Sequence, residues 1–180
     1  VERDKARDAR SQADEALSRL RAEAGALEDL LATEAETLDA DWTPMIDAIE
    51  VSAGYEAALG AALGDDLDAP SDDRAPRHWQ IMSIPPGDPG LPSGGRPLSE
   101  YVSKAGPLAR RLAQIGVVRD AETGDRLARE LKTGQRLVDT TGNFWRWDGY
   151  VSRNDARSTT STRLRQRNRL TELGGRIATA

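Results

Sequence analysis

At both ends of the chain apolar residues return at alternating three- and four-residue steps, the spacing that keeps a seam on one face of a helix. In the first 40 residues the seam is Leu17, Leu20, Ala24, Leu27, Leu31 and Leu38; near the other end it is Leu170, Leu173 and Ile177. Each tract predicts a coiled-coil arm. Residues 1–40 carry an excess of Asp and Glu, whereas residues 151–180 carry seven arginines against Asp155 and Glu172. The two arms therefore attract, and they pair antiparallel with the middle of the chain at their tip. Layering the a positions of one helix against the d positions of the other sets Leu20 opposite Ile177, Ala24 opposite Leu173 and Leu27 opposite Leu170. The same register brings Glu28 near Arg169 and Glu34 near Arg163. It leaves residues 1–16 unpartnered, and neither end has a clear cap, so the sequence reads as part of a longer coiled-coil protein. The blander reading is two unrelated amphipathic helices lying on the core.

Between arms at 1–41 and 153–180 the rhythm changes. Thr43-Pro44 predicts a helix start, with Thr43 as cap and Pro44 in the first turn, followed by a short helix through Met45, Ile46 and Ile49. Residues 54–64 (Gly-Tyr-Glu-Ala-Ala-Leu-Gly-Ala-Ala-Leu-Gly) are rich in helix formers, and Gly64 is placed to end that helix at positive φ. Residues 78–84 predict a strand, 85–97 an irregular Gly/Pro loop, and 98–112 a return to helical spacing. Ile115-Gly116-Val117-Val118 predicts a short strand and 121–132 an amphipathic helix buried through Leu127 and Leu131. Residues 135–139 and 144–151 predict two strands joined by the turn Thr141-Gly142-Asn143. The fold class is mixed α+β, a globular domain at 42–152 inserted in an antiparallel coiled coil. Two lobes are expected, about 42–97 and 98–152.

Composition narrows the function. A hydrophobic content of 38% with 4% aromatics fits a small core with solvated arms, and no apolar run approaches the ~20 residues of a membrane span. Cysteine is absent, which removes disulfides, thiolate metal sites and a Cys-His pair. His78 is the only histidine and would have to carry any triad alone. The acidic run Asp65, Asp66, Asp68, Asp72 and Asp73 lacks the spacing and glycine of a calcium loop. Gly94-Gly95-Arg96 is followed by Pro97 rather than by Lys-Ser/Thr, so it is no phosphate loop. No cofactor, metal or catalytic residue is expected. An α/β ligand-binding or enzymatic domain carrying helical arms stays as the alternative, with a plain coiled-coil dimer as a third reading.

Residues 54–64 are similar to the segment that opens the hinge of Structural Maintenance of Chromosomes (SMC) proteins, where a Gly-Tyr-Glu-x-Ala helix ends in Ala-Leu-Gly. Residues 115–118, the following helix, and 135–149 resemble the second hinge lobe. Gly134-Gln135-Arg136-Leu137-Val138, Trp145-Arg146-Trp147-Asp148-Gly149 and Gln166-Arg167-Asn168-Arg169-Leu170 most resemble alphaproteobacterial chromosome-segregation members. The likeness spans about 42–173. It implies a two-lobed hinge that forms homodimers and serves chromosome condensation and segregation, in the cytoplasm at the nucleoid. It also implies that ATP and kleisin act only at head domains not contained in this sequence.

The sequence departs from the family at the interface. Hinges commonly carry two glycine pairs after the last strand; here Gly149 alone falls on a matching position, and Ser152, Arg153 and Asn154 occupy the second cluster. Trp145, Trp147, Gly149 and Tyr150 are therefore the expected dimer contacts. Strand alternation puts Phe144, Arg146, Asp148 and Tyr150 on one face and Trp145, Trp147 and Gly149 on the other, one face core and one interface. Arg153, Arg157, Arg163 and Arg165 are the expected sequence-independent, weak DNA contacts, in competition with salt-bridge duty between the arms. The net charge of −5 argues against a broad basic face.

Overall fold

The computed structural model describes residues 2–35, 42–153 and 158–180. Leu38, Asn154, Arg157 and the side chain of Glu34 lie outside these. The chain divides into two compact units, Val1–Leu38 with Gln166–Ala180, and Asp39–Arg165.

In the first unit, helix α1 runs Glu2–Ala35, and helix α6, Thr159–Thr179, supplies the other arm from Gln166 onward. The heptad positions are sheltered, as are Gly25 and residues 166–169. Leu17, Leu20, Leu27 and Leu31 are half-buried and Ala24 is buried on α1; Leu170 and Ile177 are half-buried and Leu173 is buried on α6. Ala24 and Leu173, expected to face each other, are thus the residues in which burial is deepest. The polar register differs from expectation. Arg169 donates to Glu23 at 2.8 Å, not to Glu28, and holds Glu172 on its own helix at 2.9 Å.

The second unit is built around a five-stranded sheet in the order β2 (Arg96–Pro97), β4 (Ile115–Val118), β5 (Arg136–Asp139), β6 (Phe144–Arg146) and β7 (Val151–Ser152). Strands β4 and β5 are parallel, and the other neighbours are antiparallel. The parallel pair needs a crossover, which is helix α5, Ala121–Leu127. Asp120 starts it by accepting the Thr123 amide at 2.8 Å. A second, two-stranded sheet joins β1 (Glu50–Val51) to β3 (Val102–Ser103). Helices α2 (Met45–Ala48), α3 (Glu56–Leu63) and α4 (Ala109–Ala113) complete the unit.

One core cluster takes residues from both sides of the 85–97 loop: Met45, Ile46, Leu59 and Leu67 pack with Leu98, Leu108, Ile115 and Phe144. A smaller cluster holds Val118, Leu127, Leu137 and Trp145. Trp145 is fully buried there. Its indole N–H donates to Asp125 at 2.8 Å, and Gly124 lies so close that an added Cβ would stand 2.3 Å from the ring. The β5–β6 turn is organised by Asp139, whose Oδ1 accepts the Thr141 and Asn143 amides at 2.9 and 3.0 Å.

Several local expectations change. Pro44, in extended backbone, is the residue before α2 rather than its first, and Thr43 does not cap it. Residues 98–112 break into two 3-10 turns, strand β3 and α4, with Lys104 at φ +56° at the break. The run 144–151 is two strands. The chain turns at 147–150, where Gly149 adopts φ +89° and donates to the Arg146 carbonyl at 3.1 Å. Residues 78–84 form no strand.

Gly60 of α3 approaches Ser161 of α6 so closely that a Cβ would stand 2.8 Å from the Ser161 Cβ and 2.9 Å from its backbone nitrogen. Gly60→Val should therefore destabilise the protein by about 1–3 kcal/mol in urea unfolding. Gly25→Ala, in open space on α1, should gain about 0.5–1 kcal/mol.

The Trp145 hydrogen bond, helped by Arg153, holds the Asp125 carboxyl below the usual carboxylate range. An unfolded Asp titrates near pH ~3.9, so this stabilisation is complete above that pH and is lost as pH falls through the lowered value. Asp125→Asn should flatten the acid limb of stability below about pH 4, and the Trp145 indole N–H resonance should cease to move there.

Candidate functional site

The sequence-expected contact residues separate once folded. Trp145 belongs to the core, not to an interface, because β6 is covered on both faces: Phe144 enters the large cluster and Trp145 the small one. Simple alternation, which assigns one face to solvent, does not hold for a strand buried on both sides. Trp147 and Tyr150, in contrast, are 45% and 53% exposed, and Val151 beside them is 45% exposed. Gly149 is exposed, and a Cβ added to it would meet nothing within 4 Å. Its glycine character serves the turn conformation rather than close packing within the chain.

The 147–150 turn is braced by side-chain contacts. Arg146 forks onto Asp148 with bonds of 2.9 and 2.6 Å, and its guanidinium lies 5.0 Å over the Tyr150 ring. Tyr150 also meets Phe144 edge-on at 6.0 Å. This ion pair holds the Asp148 carboxyl below its ordinary range. The turn feeds β7, an edge strand whose outer backbone has no neighbour in the sheet.

A second exposed apolar element is the segment expected as a strand. Ile81, Met82 and Ile84 are 80%, 54% and 52% exposed. Among the described residues, no backbone hydrogen bond involves 80–84. Trp79, just before them, is tied down by its amide on the Pro70 carbonyl and its indole N–H on the Asp66 carbonyl, both at 2.8 Å. The sequence signal for 78–84 is an apolar β-prone run, and that run is present with residues 80–84 unpaired among the described residues.

The four candidate arginines meet different fates. Arg153 pairs with Asp125 and lies 5.0 Å over the Trp145 ring, with its side chain half-exposed. Arg163 is 6% exposed. It donates to both oxygens of Asp47 at 3.1 and 2.9 Å and stands 3.9 Å from Asp68. That removes it from a solvent-facing phosphate set, and it holds the root of α6 against α2; the expected approach to Glu34 falls on a side chain outside the described residues. Burial pushes the Asp68 carboxyl up, against the pull of Arg163. Arg165 is exposed and reaches Thr162 at 3.4 Å. Arg157 lies outside the described residues.

Catalytic groups do not converge. His78 places Nδ1 2.7 Å from the Ala75 carbonyl oxygen, which fixes the proton on that nitrogen. Asp72 is bound by Arg74, which lowers its pKa to about 2. Among the described residues no group of three His, Cys, Asp or Glu could hold a metal ion, and no helix is long and apolar enough to cross a membrane.

No protein-family model matches the chain. It is 46% identical over 168 residues, 93% of its length, to the chromosome partition protein Smc of Rhodopseudomonas palustris. To the chromosome partition protein Smc of Cereibacter sphaeroides it is 44% identical over 131 residues, 72% of its length. The chain spans 14% of the first relative and 11% of the second. Its fold is similar to an SMC hinge domain of Geobacillus stearothermophilus crystallised as an asymmetric dimer, with a TM-score of 0.65 over 93% of this chain and 84% of that one. At 16% identity that likeness concerns the fold alone. Heptad arms, a mixed globular unit, matches over 93% and 72% of the chain to two alphaproteobacterial relatives and the shared fold lead to one conclusion: the chain belongs to the SMC family, as a hinge domain with adjoining coiled coil.

Proposed function

We propose that this hinge joins two copies of its own chain and thereby couples the arms of an SMC dimer in chromosome condensation and segregation, in the cytoplasm at the nucleoid. It acts by association and not by catalysis; ATP and kleisin belong to head domains outside this sequence. The observation that carries the reading is a pair of unsatisfied surfaces on one unit. Residues 81–84 present three exposed apolar side chains on unpaired backbone, and the β7 edge presents Trp147, Tyr150 and Val151. Unpaired edges and contiguous apolar patches are costly in a monomer and favour a second chain. Sequence-independent DNA contact is a secondary property, resting on Arg153, Arg157 and Arg165.

Light scattering of the full chain at tens of micromolar should give a dimer. Changing Ile81 and Ile84 together to Lys should give a folded monomer by circular dichroism. Losing two buried isoleucines at ~1.5–3 kcal/mol each weakens association by at least ~100-fold. A native chain that is monomeric at high micromolar concentration, or a variant that remains dimeric, sinks the reading.

DNA contact should be micromolar at best and fall steeply with added salt, because counterion release dominates such binding. Reversing Arg153 and Arg165 to Glu should abolish it. Binding that ignores salt, or that survives the reversal, returns these arginines to structural duty.

A further inference from the structure

Away from the β7 edge, the globular unit holds a cavity of about 300 Å³ whose lining includes Trp79, Met82, Pro89, Pro107, Arg111 and Gln114. One wall is fixed from behind. The Gln114 side chain donates to the Pro89 carbonyl at 3.1 Å, and the buried Gln135 amide donates to the Pro89 and Gly90 carbonyls at 3.2 and 3.0 Å. Arg110 clamps the same loop through a two-point bond to Asp88, at 2.7 and 2.8 Å. The loop therefore stands in place without a ligand.

Arg111, next to that clamp, is in the opposite condition. It is half-buried, yet its guanidinium makes no hydrogen bond or ion pair among the described residues; its backbone carbonyl accepts the Gln114 amide at 3.1 Å. Burial lowers its pKa and the like charge of Arg146 adds to this, while the charge of Asp66 opposes both. A desolvated guanidinium without a partner is costly, and its planar fork matches a carboxylate or phosphate head. Arg110 and Asp88, which also line the cavity, are paired with each other, and the apolar side chains beside Arg111 suit a body rather than a second charge. At the ~30 Å³ a water occupies in the liquid, the cavity holds about ten non-hydrogen atoms.

We propose that this cavity is a site for a small amphipathic anion, with a carboxylate or phosphate monoester head on Arg111 and an apolar body against Trp79, Pro89 and Pro107.

The full chain is titrated with benzoate, phenyl phosphate, inorganic phosphate and benzyl alcohol, followed by amide NMR and thermal unfolding. Benzoate or phenyl phosphate should move the amides of Gln80, Met82, Thr133 and Gly134 and raise the melting temperature; the stronger of the two identifies the head. Inorganic phosphate and benzyl alcohol, each lacking one half of the ligand, should bind at least about tenfold more weakly. Arg111→Met should weaken the aromatic anions by about ten- to a hundredfold, the range of a charge-assisted hydrogen bond. Without ligand that variant should melt at the same or a higher temperature, since an unpaired charge has been removed. Three results overturn the proposal. Neither aromatic anion binds at millimolar concentration; both bind the Arg111→Met variant as well as the native chain; or the unliganded variant melts several degrees lower, which makes Arg111 a structural residue.

Discussion

Two-sided burial of the parallel pair β4–β5 is the constraint around which the globular unit is arranged. All four residues of β4 are buried, and alternate residues go to opposite faces. Ile115, Val117 and Val138 enter the large cluster, while Val118 and Leu137 enter the small one. Each face needs its own cover, and the chain supplies α3 to one and α5 to the other. The α5 face is fitted by size complementarity. Gly116 leaves room for Leu137, its register partner, and Gly124 leaves room for Trp145, which pairs with Leu137 from the far side. Burying Trp145 removes about 150–250 Å² from water, ~4–6 kcal/mol at ~25 cal/mol per Å². The smaller cluster thus derives much of its stability from a single ring.

Most polar groups that this burial carries inward find partners, with Arg163 Nε and Gln166 Oε1 the exceptions among the described residues. Gln135, fully buried, uses its amide on Pro89, Gly90 and Gln114 and accepts the Lys132 amide with its oxygen. Asp139 is spent on its own turn. Arg163 ties the first turns of α6 to α2 through Asp47, so the point where the chain leaves the unit is bonded to the point near which it enters. A buried arginine between two carboxylates is poor evidence for stability relative to an apolar replacement, but removing one member alone would strand the others.

Much of this architecture was legible in the sequence because it follows from spacing. The heptad seam, strand 115–118 and the turn at 141–143 need only local periodicity and turn chemistry. Trp145 was misplaced for a physical reason. Alternation describes a strand with one wet face, and the all-apolar Ile115–Val118 run already implied a sheet covered on both sides. The 78–84 run was misassigned because β propensity describes what a segment can pair with, not whether a neighbour exists within the same chain. Arg169 differs from expectation because charge partners depend on rotamers and on long-range approach, and the Asp47 partner of Arg163 lies 116 residues away in the chain. No local signal could have supplied that pairing. The cavity at Arg111 was invisible for the same reason, since its lining comes from four separated stretches of chain.

The turn at 146–150 has a thermodynamic consequence that reaches past its own geometry. Its backbone is set by Gly149 at positive φ, and Arg146 is held by Asp148 on one side and lies over Tyr150 on the other. A loose loop presenting the same aromatics would surrender backbone freedom and about 0.5–1.5 kcal/mol per side chain on meeting a neighbour. Here that ordering has been completed in the folding of the monomer. Contact area that a second chain gained over Tyr150 would be converted to affinity with a smaller entropic deduction, so under the proposed association a modest patch would hold two chains for longer than its size alone would allow.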